Sequence, residues 1–120
     1  MILFIGYENC STCKDVRKFL DKKNLDYKFQ DVKKEKPRKE QIKKLYEKSG
    51  LDIKKFFNTS GKVYRDLNLK DKLKDMDLDE KLELLSSDGM LLKRPIIEDG
   101  DSVVIGKKNI IEYFEDKNPS

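Results

Sequence analysis

The first 32 residues constrain the fold of this chain more than any other stretch. Residues 2–6 are almost all apolar, which predicts a short buried strand that ends at Gly6. From Ser11 to Asn24 the apolar side chains recur at helical spacing, and residues 25–32 alternate in polarity, as a half-buried strand does. A strand, a helix and a strand joined by short links predict a βαβ unit with parallel strands and a right-handed connection.

The two cysteines of the chain, Cys10 and Cys13, lie at the junction between this strand and this helix. Residues three positions apart on one helix face have Cβ atoms roughly 5–6 Å apart, close enough for a disulfide after a small adjustment. Cys10 would lie near the helix N-terminus, where unpaired N–H groups and the helix dipole favour a thiolate. Cys13, one turn inside, would be less exposed and have the higher pKa. The alternative is two inert core residues, but a CxxC in a βαβ unit is typical of a thioredoxin-like redox site.

The middle of the chain, approximately residues 37–90, is predicted to be helical. Pro37 is placed to begin the first of these helices, because its missing N–H costs nothing at the first position, and Gly50 is placed to end it. Asp77 and Glu80 resemble a capping pair at the start of a later helix.

Near the C-terminus, Asp99-Gly100-Asp101 separates two runs rich in β-branched residues, 95–98 and 102–105, which predicts a β-hairpin. Apolar residues within 110–114 predict a final helix, and residues 118–120 a frayed end. The element order is therefore βαβ, several helices, then ββα. It predicts an α/β, thioredoxin-like fold: a mixed four-stranded sheet with an all-helical insert between its halves.

The composition limits the classes of function. With 120 residues, the chain predicts a single domain over residues 1–120. Charged residues make up 42%, but 27 basic and 23 acidic residues are interspersed, so we expect no direct nucleic-acid binding. No apolar stretch is long enough for a membrane span or a signal peptide, which favours a cytoplasmic protein without membrane contact. The chain lacks histidine and a second cysteine pair, so we expect no metal.

Several stretches together resemble the arsenate-reductase-like (ArsC/Spx) branch of the thioredoxin fold, over nearly the full length. They are Cys10-Ser11-Thr12-Cys13, the run from Phe56 to Asn68, Asp88-Gly89-Met90-Leu91 and Lys93-Arg94-Pro95-Ile96-Ile97. The chain looks most similar to small glutaredoxin-like bacterial members of that branch. This resemblance implies that the bond before Pro95 is cis and that Pro95 faces the thiols. It also implies that Lys93 or Arg94, with the backbone before Pro95, frames the substrate groove, and we assign Arg94 and Pro95 to it. For Arg94 the alternative is a surface ion pair.

Arsenate reductases of this branch use one cysteine at the position of Cys10 and hold the oxyanion with several arginines. By this resemblance one of those arginines is retained as Arg94, while two others fall at or beside Asn58 and Gly106. Each lost charged donor removes roughly 1.5–3 kcal/mol of hydrogen bonding to the oxyanion. The resemblance therefore disfavours classical arsenate reduction.

We predict a cytosolic thiol–disulfide oxidoreductase, glutaredoxin- or arsenate-reductase-like, with Cys10 as nucleophile and Cys13 as resolving thiol. The substrate would be a disulfide or an oxidised thiol. No bound cofactor is expected, only a thiol reductant such as glutathione or thioredoxin as co-substrate, and we expect a monomer. The alternative is an Spx-like redox-sensing transcriptional regulator that binds the α subunit of RNA polymerase.

Overall fold

The computed structural model describes residues 1–116 and divides into two compact units. The first consists of Met1–Asp31 and Arg94–Ser120, and the second of Val32–Lys93. The predicted frayed end at residues 118–120 lies outside the described residues. All four strands and both cysteines belong to the first unit.

The sheet of the first unit has the strand order β2-β1-β3-β4. Its strands are β1 (Ile2–Gly6), β2 (Tyr27–Asp31), β3 (Ile96–Asp99) and β4 (Ser102–Ile105). β1 pairs in parallel with β2, whereas the β1–β3 and β3–β4 pairs are antiparallel. The predicted mixed four-stranded sheet and its C-terminal hairpin are therefore confirmed.

Two helices, α1 (Ser11–Lys22) and α6 (Lys107–Asp116), pack against each other in this unit. Their apolar stripes cover one face of the sheet, because alternate residues of β1 and the facing residue of β3 join the same core. That core contains Ile2, Phe4, Cys13, Val16, Leu20, Ile97, Ile110 and Phe114. Cys13 is thus part of the hydrophobic core at the start of α1.

The second strand starts later than its alternating pattern predicts. Asn24 adopts a left-handed conformation with φ of 57° after α1, and the N–H of Leu25 donates to the carbonyl of Leu20 at 3.1 Å. Leu25 also packs against the core of the first unit. Leu25 is therefore part of the turn that ends α1, and β2 begins only at Tyr27.

The second unit is helical, as predicted for the middle of the chain. It contains α2 (Lys39–Ser49), α3 (Lys62–Asp66), α4 (Leu69–Lys72) and α5 (Leu78–Ser87), with 3₁₀ turns at Ile53–Phe56, Leu73–Asp75 and Gly89–Leu91. The predicted caps are present: Gly50 ends α2 with φ of 68°, and Asp77 with Glu80 forms a capping box on α5.

The predicted start of α2 at Pro37 is wrong by two residues. Arg38 is extended, with ψ of 160°, and the helix begins at Lys39. The ammonium of Lys39 lies 2.7 Å from the carboxylate of Asp79 and 3.3 Å from that of Glu83, both on α5. The first residue of α2 thus forms ion pairs with α5, and the local spacing of apolar residues did not predict that α2 begins there.

Within residues 1–116, no helix combines the length and the apolar character needed to cross a membrane.

Candidate active site

Cys10 lies where α1 begins. Its backbone is extended at the N-cap position, its N–H donates to the carbonyl of Tyr7 at 3.1 Å, and its own carbonyl accepts from Lys14 at 3.0 Å. The side chain is half-buried. Its sulfur therefore occupies the helix N-terminus, where the first N–H groups point and where a negative charge is favoured.

Cys13, one helical turn further, has no solvent exposure. Its approach to the sheet depends on Gly6, the last residue of β1. A Cβ atom at position 6 would lie 3.0 Å from Cys13 Sγ and 2.7 Å from Cε1 of Phe4. The missing side chain of Gly6 thus leaves the space into which the Cys13 sulfur fits.

The surroundings of Cys10 favour its thiolate. Partial burial alone would raise the pKa of this thiol, but several groups outweigh burial and lower the pKa below its usual 9.0. They are the N–H and the thiol of Cys13, the guanidinium of Arg94 and the N–H of Thr12. Two of these are helix N–H groups, so the position of Cys10 at the start of α1 itself supplies part of the effect.

The surroundings of Cys13 have the opposite effect. Burial is the largest cause, and together with the hydrogen bond to Cys10 and the charge of Cys10 it raises the pKa of Cys13 to about 12. The N–H of Tyr7 and the guanidinium of Arg94 act against this rise. The predicted ranking, with Cys13 less exposed and higher in pKa than Cys10, is confirmed.

Arg94 and Pro95 lie in the same unit as the two thiols. The Arg94–Pro95 peptide bond is cis, as the resemblance implied. Pro95 is buried, and its carbonyl accepts from the N–H of Gly106 at 2.9 Å. The Arg94 guanidinium carbon lies 5.9 Å from the ring centroid of Tyr7, and the group is close enough to both sulfurs to lower their pKa values. The structure thus brings the four predicted site residues into one unit, while their roles in catalysis stay predictions.

Comparisons with known proteins agree with the fold described above. The model of the ArsC family matches residues 5–110. The chain belongs to the ArsC family.

Among ArsC-family relatives, the uncharacterized protein YusI of Bacillus subtilis is 50% identical over 96% of this chain and 96% of its own. The regulatory protein MgsR of the same organism is 28% identical over 88% of this chain and 82% of its own. The crystal structure of a possible arsenate reductase from Streptococcus mutans is 46% identical, with a TM-score of 0.86 over 96% of this chain and 98% of that one.

Reasoning from sequence missed two residues, one that contacts the loop before Cys10 and one that contacts Cys13 itself. Asp31 is only 4% exposed, and its Oδ2 accepts from the N–H of Glu8 at 3.0 Å. Tyr7 contributes its N–H to the Cys13 sulfur and its ring to Arg94. The parallel register sets Asp31 opposite Gly6, beside the loop that leads to Cys10. The predicted strands, residues 2–6 and 25–32, show that these ends are close but do not specify this register.

The site therefore holds two sulfurs of unequal acidity. A partly exposed thiolate can attack an incoming sulfur, and the buried thiol within hydrogen-bonding reach can attack in turn once it has lost its proton. Within residues 1–116, no group of three or more His, Cys, Asp or Glu side chains is arranged to hold a metal ion.

Proposed function

We propose that this ArsC-family protein is a thiol–disulfide oxidoreductase. One observation supports the proposal most: the pKa of the half-buried Cys10 is lowered, whereas the pKa of the fully buried Cys13 is raised to about 12. Such a difference assigns the first attack to Cys10 and leaves Cys13 protonated until it is needed.

In the first step, the Cys10 thiolate attacks one sulfur of a substrate disulfide, R–S–S–R′. A bond forms between Cys10 and the sulfur that carries R, the substrate S–S bond breaks, and R′–S⁻ leaves and takes a proton from solvent. The N–H groups of Thr12 and Cys13 and the guanidinium of Arg94 stabilise the attacking thiolate.

In the second step, Cys13 loses its proton to solvent and attacks the sulfur of Cys10. The Cys10–Cys13 disulfide forms and R–S⁻ leaves, so the substrate has gained two electrons and the protein has lost them. Burial, the largest cause of the raised pKa of Cys13, persists in the mixed disulfide, but the charge of Cys10 is gone. The N–H of Tyr7 and the guanidinium of Arg94 still lower the pKa, so Cys13 becomes easier to deprotonate only after Cys10 has reacted.

A thiol reductant, such as glutathione or thioredoxin, would return the two electrons and restore both thiols. Such a cycle needs a compartment in which thiols are kept reduced, and the cytoplasm stays our prediction. Arsenate is disfavoured as the oxidant, because Arg94 is the only one of the expected arginines that the resemblance retains, and a tetrahedral oxyanion requires several such donors.

The test is reduction of a small disulfide, coupled to a thiol reductant, by the parent chain and two matched variants. We expect Cys10→Ser to abolish turnover and Cys13→Ser to accumulate a mixed disulfide on Cys10, visible as a mass increase. If Cys10→Ser turns over the disulfide as fast as the parent, the proposal is wrong. Arsenate added in place of the disulfide should give no reduction above background.

A second candidate function is a redox-responsive regulator. It is supported by the likeness to the regulatory protein MgsR over most of the chain. The partner would be the α subunit of RNA polymerase, as the resemblance to Spx-type regulators implies. Pull-down of that subunit by the reduced and the oxidised chain separates the two candidates, because an oxidoreductase without a regulatory role should retain it in neither state.

A further inference from the structure

The second unit carries a cavity of about 230 Å³ that the proposed redox chemistry does not involve. The apolar side chains that line it are all at least nine-tenths buried: Ile53, Phe57, Tyr64 and Leu73. Charged residues also line it, namely four lysines and one aspartate: Lys54, Lys70, Lys74, Lys81 and Asp52. We call this set the lysine-rimmed cavity; it combines an apolar floor with a positively charged rim.

The four lysines reach the cavity from different elements of the second unit. Lys54 lies in the 3₁₀ turn that follows α2, Lys70 in α4, Lys74 in the next 3₁₀ turn, and Lys81 in α5. Lys70 and Lys74 are four residues apart along consecutive helical turns, where like charges repel and disfavour the helix. Local helix stability therefore does not explain why lysines occur at both positions.

Among the described residues 1–116, the four lysines of the cavity are not held by acidic side chains, unlike Lys39 and Lys62 of the same unit. Within residues 1–116, none of the four forms an ion pair, although this part of the chain is rich in Asp and Glu. By contrast, Lys39 contacts Asp79 at 2.7 Å, and Lys62 contacts Asp66 at 2.7 Å. Within the described part of the chain, ion pairs therefore do not neutralise the positive charge of this rim.

The carboxylate in the lining is already engaged. Oδ1 of Asp52 accepts from the N–H of Lys54 at 2.9 Å and thereby caps the 3₁₀ turn. The charged residues of the lining, four lysines and this capping aspartate, therefore carry a net charge of +3. A ligand with a carboxylate or phosphate group would complement that charge.

The apolar side chains of the lining favour a ligand in which an apolar group is attached to the anionic group. The rings of Phe57 and Tyr64 meet edge to face, with centroids 6.3 Å apart, so an aromatic surface borders the cavity. A volume of about 230 Å³ is smaller than the roughly 300–1,000 Å³ typical of drug-sized ligands. We propose that the lysine-rimmed cavity binds a small organic anion whose body is a single aromatic ring or a short aliphatic group.

Phenyl phosphate is a suitable probe, titrated into the full chain labelled with ¹⁵N and followed by amide chemical shifts. Inorganic phosphate carries the charge without the ring, and benzyl alcohol carries the ring without the charge. The variant to compare is the double substitution Lys70→Gln with Lys74→Gln, since both side chains are exposed and unpaired. The matched control is Lys43→Gln with Lys44→Gln, which removes the same charge from exposed positions of α2 outside the cavity.

We expect phenyl phosphate to change the amide chemical shifts of the lining residues. It should bind more tightly than either inorganic phosphate or benzyl alcohol. The Lys70/Lys74 variant should weaken binding at least about fivefold, the effect of losing one or more close charge contacts in water, and the control less than about twofold. Equal weakening by both variants would mean diffuse attraction to the surface and overturn the proposal. So would equal binding of benzyl alcohol, or shifts confined to residues outside the cavity. The measurement involves no redox turnover, so its outcome is independent of the proposed oxidoreductase activity.

Discussion

Native Cys13 should be nearly inert to iodoacetamide at neutral pH and should recover its reactivity when the chain unfolds. Burial, and then the hydrogen bond to Cys10 and its charge, raise the pKa of Cys13 from 9.0 to about 12. Alkylation requires the thiolate. At pH 7 such a rise lowers the thiolate fraction roughly 1,000-fold, which corresponds to about 4 kcal/mol.

The assay uses the variant Cys10→Ser, in which Cys13 is the remaining thiol. Its alkylation is followed by intact mass at pH 7, in native buffer and in urea. Burial is the largest cause of the raised pKa and persists in this variant, while the contributions from Cys10 are lost. We therefore expect native Cys13 to react roughly 100-fold more slowly than unfolded Cys13. This difference is smaller than the roughly 1,000-fold that the complete rise in pKa would give. In the parent chain at pH 7, Cys10 should be modified first.

The pH dependence of Cys13 alkylation should reflect the same raised pKa. Because the folded thiol titrates at a higher pH than the unfolded one, the rate for native Cys13 should continue to rise beyond pH 9, where the rate in urea levels off. The reasoning is refuted if native Cys13 at pH 7 reacts within about tenfold of its rate in urea, or if the parent chain is modified equally at both cysteines.

Substitutions at three further positions test other parts of the site and the fold. Arg94→Gln should raise the pKa of Cys10, so that the pH profile of Cys10 alkylation moves to higher pH. Arg94→Lys keeps the positive charge and should largely preserve the parent profile. An unchanged profile in Arg94→Gln would contradict the role of the guanidinium. Gly6→Ala should destabilise the protein by about 1–3 kcal/mol in urea denaturation, because the added methyl overlaps Phe4 and crowds Cys13; a stability equal to the parent would mean that the core yields freely. Asp77→Ala removes the capping box of α5 and should cost about 1 kcal/mol while leaving the alkylation rate of Cys10 unchanged.

Much of the fold could be predicted from sequence, because several of its boundaries are set by local chemistry. The Asp-Gly turn produced the expected hairpin, with Gly100 at φ of 61°, and Asp77 capped α5 as its pattern indicated. Where a boundary depends on distant residues, prediction failed. The start of α2 at Lys39 involves ion pairs with α5. The late start of β2 has a local cause that the alternating pattern did not show, because Asn24 and Leu25 close α1.

In the candidate active site, too, local sequence predicts some features and not others. The position of Cys10 at a helix start and the acidity ranking of the two thiols follow from the spacing of the CxxC. The cis bond before Pro95 was predicted by resemblance to a family and not by its local sequence. Asp31 was missed because its proximity to the Glu8 amide arises from the register between β1 and β2, which a strand pattern alone does not specify.

The central position of β1 has a consequence for how long the two thiols keep their geometry. This strand is hydrogen-bonded along both edges, to β2 and to β3, while β2 and β4 form the margins of the sheet. Local opening begins at margins and termini, so the amides of β1 should be among the last to exchange with deuterium. Cys10 follows β1 after residues 7–9. The nucleophile is therefore attached to one of the two inner strands of the sheet, and it should keep its place while the marginal strands open and close.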